Sequence, residues 1–158
     1  MSEKRSQILE ELRQTRPLRS VQEEALLGLL RTADRLRRLG GGVVEPFGIS
    51  NQQYNVLRIL RGAGEEGLPT LEIADRLIEQ APGITRLLDR LEKKKLIRRR
   101  RRPLDRRQVL CRITPAGMEL LARLDEPVTK FGREALNMLS EKELRALVGI
   151  LDRVRKPA

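Results

Sequence analysis

The side chains best equipped for chemistry in this sequence are arginines. Residues 86–112 hold thirteen basic side chains against three acidic ones (Asp89, Glu92 and Asp105), a local net charge of +10. The whole chain carries 33 Lys+Arg against 22 Asp+Glu, a formal +11, so everything outside that segment is nearly neutral. Charge this concentrated suits a polyanion, because each phosphate it neutralises releases condensed counterions. A solvated surface is the plainer alternative, but five consecutive arginines at 98–102 repel one another and destabilise a fold that offers them no partner. A basic membrane-surface element normally sets apolar and aromatic residues opposite its charge, and this segment has no aromatic residue. Nucleic acid is the better reading.

Other chemistries are poorly served. The chain has no histidine, no tryptophan and one cysteine, Cys111. That removes His-based acid–base catalysis, Ser/His and Cys/His nucleophiles, zinc sites built from Cys and His, and any internal disulfide framework. There is no G-x-x-x-x-G-K-S/T loop and no G-x-G-x-x-G, the glycine motifs that cradle phosphates. An enzyme would need clustered carboxylates, and Glu65-Glu66 sits in a glycine loop while the other acids read as helix surface. The expectations are therefore no enzyme, no cofactor and no metal. No apolar run approaches the ~18–20 residues of a membrane span. The start MSEKRSQILEELRQ lacks the apolar stretch of a signal peptide, which predicts a cytoplasmic protein with no membrane partner. At 158 residues, 39% hydrophobic but 2% aromatic, the chain suits one domain, or one compact unit with appended helices, around an aliphatic core.

The elements that must hold the basic segment are mostly helices. Residues 2–14 form a short helix with Ile8 and Leu12 on one face, before Arg16-Pro17 interrupts it. Ser20 to Glu23 is a capping-box pattern, and Leu26, Leu29, Ala33 and Leu36 then mark a buried face. Gly40-Gly41-Gly42 ends that helix, and a loop follows to Ile49. Ser50 with Gln53 caps a helix that turns Tyr54, Leu57 and Leu60 inward, and a glycine loop over 62–67 follows. Thr70 caps a short helix, and Ala81-Pro82-Gly83 leads into a second, its proline placed near the first turn. Ile73, Leu77, Ile84, Leu87, Leu88 and Leu91 pack the two together, with Ala74 small at the crossing, as in a helix-turn-helix. The period then changes to that of strands, over residues 97–102 and 107–113, about a turn at Pro103-Leu104-Asp105-Arg106. Thr114-Pro115 opens a helix whose Gly117, Leu121, Leu124, Val128, Phe131 and Ala135 form a heptad-like seam. Ser140 with Glu143 caps a last helix bearing Leu144, Leu147, Leu151 and Val154. The outer helices either cover the domain's own core or, as the preferred reading, pair with a second chain.

The fold class is thus mainly α with a small β-hairpin wing, a winged helix-turn-helix with N- and C-terminal dimerisation helices. Residues 1–19 are an N-terminal extension and 20–49 a dimerisation helix and loop. Residues 50–114 are the DNA-binding domain, and 115–158 the C-terminal dimerisation helices. The stretch ITRLLDRLEKKKLIRRRRRPLDRRQVLCRITPAG, residues 84–117, resembles the recognition helix, wing and following helix start of the MarR family of bacterial transcription regulators. SNQQYNVLRIL, residues 50–60, is similar to that family's second helix. The resemblance implies a homodimer on a pseudo-palindromic double-stranded DNA operator, and the leading reading is a sequence-specific regulator acting as a repressor. It also implies release by a small aromatic acid or phenolic ligand bound between the lobes. Two departures are visible: Lys95 stands where the family usually has glycine, and the extension precedes the usual first helix. The N-terminal cysteine of oxidant sensors and the ligands of metal sensors are absent, which weighs against both sensing modes.

A recognition helix offers its N-terminal residues to base edges in the major groove, here Pro82, Gly83, Thr85 and Arg86. Arg86 is the principal base reader, bidentate to a guanine. Thr85 meets a base or a phosphate, or is a plain helix-face residue. Arg90 is either a phosphate clamp or half of a pair with Asp89 or Glu92. In the wing, the resemblance points to Asp105 holding Arg107 extended into the minor groove, where the potential favours arginine. Arg106 and the outward members of 98–102, Arg102 among them, track phosphates. Cys111 packs inward as a small hydrophobe. Phe47 and Tyr54 lie near where the family's effector pocket would be, with core packing the stronger reading for Tyr54. The competing function is a DNA-architectural or RNA-binding basic protein without sequence preference, although RNA stacking lacks an aromatic platform here.

Overall fold

The computed structural model describes residues 7–102 and 105–156. Residues 2–6 of the expected first helix, Pro103-Leu104 of the expected turn and the side chain of Arg106 lie outside the described residues. In chain order the elements are α1 (Gln7–Glu11), α2 (Val21–Val44), α3 (Asn51–Ala63), β1 (Leu68–Pro69), α4 (Thr70–Arg76), α5 (Ile84–Lys93), β2 (Ile97–Arg102), β3 (Asp105–Ile113), α6 (Pro115–Ala135) and α7 (Glu141–Arg155). Short 3-10 turns follow α2 and α3, and the strands form one antiparallel sheet in the order β1–β3–β2. The chain divides into two units, one through Gly42 and one from Val43.

In the first unit, Ser20 Oγ accepts the Glu23 N–H (3.2 Å), as a capping box requires. Its reciprocal bond is displaced by one residue, since the Glu23 carboxylate accepts the Arg19 N–H (2.8 Å). The expected buried face of α2 is not buried within this chain: Leu26 is 56% exposed and Leu29 39%, Ala33 is exposed and Leu36 half-buried. The triple glycine does not end the helix, contrary to the sequence reading. Glycine weakens a helix by about 1 kcal/mol per residue but does not forbid it, and Val44, 1% exposed, anchors the last turn in the core of the second unit. The stop comes later, at Pro46 and the left-handed Gly48.

The second unit holds the core. Every buried apolar side chain among the described residues lies between Val44 and Leu124, and the set is aliphatic apart from Cys111. The capping box of Ser50 and Gln53 is complete and α3 buries Val56, Leu57 and Leu60. Thr70 is not a cap: Pro69 holds that position, and Thr70 is the first helical residue, its side chain bonded to the Cys111 thiol. The two-residue strand β1 carries no alternation in the sequence. Its approach to β3 depends on Gly67, at φ 74°, where a Cβ would stand 2.3 Å from the Cys111 carbonyl oxygen. The strand β3 starts at Asp105, two residues earlier than expected, and its register with β2 shifts between Arg101 and Arg102.

The heptad-like seam of α6 is divided. Gly117, Leu121 and Leu124 are buried in the unit's own core and Val128 packs on it, whereas Phe131 and Ala135 are only half-buried. The first turns of α6 therefore close the winged unit rather than waiting for a second chain. The complete capping box of Ser140 and Glu143 opens α7, which buries no residue and exposes Val148 and Val154.

Between α5 and β2 the chain closes through a left-handed residue, and that residue is Lys95 (φ 61°). The Lys95 N–H bonds the Glu92 carbonyl (2.8 Å) and the Leu96 N–H the Leu91 carbonyl (3.1 Å), the Schellman pattern usually built on glycine. Thr114 Oγ donates to the Lys95 carbonyl (2.7 Å), and the Thr114 N–H to that of Leu96 (3.0 Å). Gly117 fits beneath, with room for no Cβ: one would meet the Leu96 oxygen at 2.4 Å. Thermal unfolding checks both positions. Gly117→Ala is expected to destabilise by about 1–3 kcal/mol through overpacking. Lys95→Gly relieves roughly 1 kcal/mol of left-handed strain, partly offset by the freer unfolded chain, and raises Tm by about 1–3 °C.

Candidate nucleic-acid interface

Helix α5 buries Leu87, Leu88 and Leu91 and exposes Thr85, Arg86, Asp89, Arg90 and Lys93, so its amphipathic spacing divides the helix as the sequence implies. Its N-cap is Gly83, left-handed at φ 94°, and no side chain caps it. The first amides of a helix have no carbonyl to bond within it, and here those are Ile84, Thr85 and Arg86. Together with the positive end of the helix dipole they favour a phosphate. Pro82 stands near the first turn, directly before the N-cap Gly83 and outside the helix proper. That approach is pinned by a residue the sequence reading missed: buried Asn55, on α3, accepts the Ile78 N–H (2.9 Å) through Oδ1. An asparagine between inward Tyr54 and Val56 was the available signal.

The basic residues divide into those used by the fold and those left outward. Lys94 Nζ donates to the Gly48 carbonyl and to Gln53 Oε1, tying the end of α5 to the start of α3. Arg112 donates to the Glu66 carbonyl (3.3 Å). Arg99 is held by Glu92 and Asp89. Both carboxylates that were candidate partners of Arg90 face Arg99 instead, and Arg90 makes no ion pair among the described residues. The same holds for Arg86, Arg98, Arg100 and Arg107, all exposed. In β2 the alternation is visible: Ile97 and Arg99 turn inward, Arg98 and Arg100 outward. Arg102 reaches Gln108 (3.3 Å).

At the wing, Asp105 Oδ1 accepts the main-chain N–H of Arg107 (3.0 Å). The resemblance implied a grip on the guanidinium; the carboxylate instead fixes the backbone, as a short Asp side chain two residues back does in a turn. The Arg107 side chain is left exposed. Phe47 and Tyr54 both pack against the core, the Arg123 guanidinium lies 5.2 Å from the Phe47 ring centre, and burial raises the Tyr54 phenol above its ordinary range. Burial likewise raises the Cys111 thiol, partly offset by its bond to Thr70. A neutral thiol within the core is a packing group.

A helix-turn-helix between the first strand and the basic hairpin of a three-stranded sheet defines a winged-helix protein. The MarR family model matches residues 49–109. The chain is 30% identical over 111 residues to the transcriptional regulator MhqR of Bacillus subtilis, covering 70% of this chain and 75% of the relative. A MarR transcription factor from Planctomyces limnophilus is similar at 42% identity and a TM-score of 0.67, over 86% of this chain and 98% of that one. A mutant MarR from E. coli complexed with operator DNA is similar at 26% identity and a TM-score of 0.75, over 85% and 96%. The chain belongs to the MarR family: it is a winged-helix, DNA-binding transcriptional regulator and not an enzyme. Among the described residues no helix is long and apolar enough to cross a membrane.

The Glu92 carboxyl is held below its ordinary value of 4.5, first by the hydrogen bond from Arg99. A lowered folded value means that its contribution to stability is full above about 4.5 and is lost as pH falls through the folded value. Denaturant unfolding followed downward from pH 6 is expected to show this loss in the wild type, reduced in Glu92→Gln. Equal acid sensitivity in the two proteins would contradict the assignment.

Proposed function

We propose that this regulator is a homodimer that represses transcription from a pseudo-palindromic double-stranded DNA operator. In this reading α5 enters the major groove with Arg86 reading a guanine, Thr85 beside it, and Pro82 and Gly83 at the approach. The β2–β3 wing carries Arg107 into the minor groove, braced by Asp105, while Arg90, Arg102 and Arg106 meet phosphates. The observation that carries it is the outward face of α5, where Arg86 and Arg90 make no ion pair among the described residues and lie beside amides that no side chain caps. The likeness to a MarR protein in complex with operator DNA supports the same use of the surface.

Residues 50–114 are the reading domain, with 20–49 and 115–158 joining the two copies and 1–19 adding to that junction. Support comes from apolar residues left exposed on one chain: Leu26, Leu30 and Leu39 on α2, Val148, Ile150 and Val154 on α7. Exposed apolar surface of this extent marks an interface. A small aromatic acid or phenol is the effector class, assigned to the region of Phe47 and Tyr54, where Arg123 already lies over the Phe47 ring.

Selection of duplexes from a random pool at about 150 mM salt tests the reading, since that salt suppresses weak phosphate binding. The expected product is an inverted repeat with half-site centres about ten base pairs apart. Salt-sensitive binding with no enriched sequence would favour the architectural alternative and overturn the regulator's proposed operator. On the selected site, Arg86→Ala and Arg107→Ala should each cost about 1–3 kcal/mol, and the former should relax preference at one base pair. Sedimentation gives the oligomeric state: two chains per particle for the wild type, and a shift toward one for Leu26→Glu with Val154→Glu. A monomeric wild type that still selects a single half-site would exclude the dimer.

A further inference from the structure

Of the five arginines at 98–102, only Arg99 is turned away from solvent, its side chain 24% exposed. Glu92 holds it twice. Its Oε1 accepts the Arg99 main-chain N–H (3.0 Å), and its Oε2 accepts Nε (2.9 Å) and Nη2 (2.7 Å) of the guanidinium. Arg99 Nη2 also bonds Asp89 Oδ1. Asp89 and Glu92 lie three residues apart on α5 and so share a face of it. One face of the helix thus grips the third residue of β2. Arg99 stands opposite buried Cys111 in the sheet, at the root of the wing. Three more residues of β2 extend beyond it, roughly 10 Å at strand rise. A small tilt at Arg99 becomes a displacement of ångströms at the outer end.

Partly exposed ion pairs add little to global stability, so stability is only a small part of what this concentration of charge-assisted bonds can do. The pairing also removes Arg99 from the phosphate-binding set: one guanidinium between two carboxylates has no net positive charge to offer. Its neighbours Arg98 and Arg100 keep theirs. We propose that Arg99 is a specificity-determining positioning residue, whose grip on Asp89 and Glu92 sets the wing at the angle to α5 that lets both reach their grooves in one register. The proposal rests on the operator reading above, and it places Arg99 among the residues that determine specificity without touching DNA.

The test compares full-length wild type, Arg99→Ala, Arg100→Ala and Glu92→Gln on the selected operator and on a random duplex of equal length, across about 50–300 mM salt. Arg99→Ala should lose about tenfold of operator affinity, the equivalent of one misplaced base contact. Its affinity for random DNA should fall much less, through the two carboxylates left uncovered, and its salt slope should be unchanged. Arg100→Ala should weaken both duplexes alike and lower the slope by about 0.9. Glu92→Gln keeps an acceptor but removes the charge. It should repeat the Arg99→Ala pattern more mildly, and it serves as the test if Arg99→Ala does not fold. A slope lowered by about 0.9 in Arg99→Ala, with both duplexes weakened equally, would make Arg99 a phosphate contact and overturn the proposal. Unchanged operator affinity in both Arg99→Ala and Glu92→Gln would overturn it as well while leaving the operator reading in place. A wild type without operator preference would remove both.

Discussion

The closed turn at the end of α5 is the constraint on which the winged unit depends. Lys95 must be left-handed so that Leu96 can reach back to the Leu91 carbonyl and the chain can reverse into β2. The same two residues then present their carbonyls to Thr114, whose N–H and hydroxyl satisfy them. Thr114 in turn caps α6 by accepting the Gly117 N–H (3.1 Å), and Gly117 is small because the Leu96 oxygen occupies the space of its Cβ. One turn thereby sets where the recognition helix stops, where the wing begins and where α6 starts. A lysine in the position tolerates the backbone at some cost, because the bonds around it over-determine the conformation.

Around that turn the basic segment separates into two chemical roles. The carbonyl of the turn residue Gly48 and a glutamine hold Lys94, two carboxylates hold Arg99, and the carbonyl of Glu66 holds Arg112. The exposed arginines of α5 and of the outward face of β2 keep their charge. Composition counts all of these alike as positive charge. Geometry makes some of them structural fasteners and leaves the others as the electrostatic footprint that a phosphate backbone meets.

The apolar faces show a comparable division. The inner turns of α6 close the winged unit, while α2 and α7 leave leucines, valines and an isoleucine in solvent within one chain. A periodic stripe shows that a helix face will be covered, and not by what. For α6 the covering is in part the protein's own core, because the chain reversal at Thr114 brings its first turns under α3, as the bond from Arg61 to Asp125 (2.9 Å) marks.

The sequence by itself determined the local elements, because their signals are local. Ser50 with Gln53, Ser140 with Glu143 and Thr114-Pro115 each place a hydroxyl where the first amides of a helix need an acceptor, and each helix starts there. The spacing of Leu87, Leu88 and Leu91 placed Arg86 and Arg90 outward, and the change of period at Ile97 marked the wing. Only the tertiary structure decided what depends on distant partners. Two-residue β1 has no alternation to read and exists because Gly67 lets it approach β3. The helix α2 runs on through its glycines to Val44, a residue buried at 1% exposure, and stops only at Pro46 and Gly48. Arg99 looks like its four neighbours in sequence, and it differs only because a strand alternates its faces and α5 sets two carboxylates against one of them.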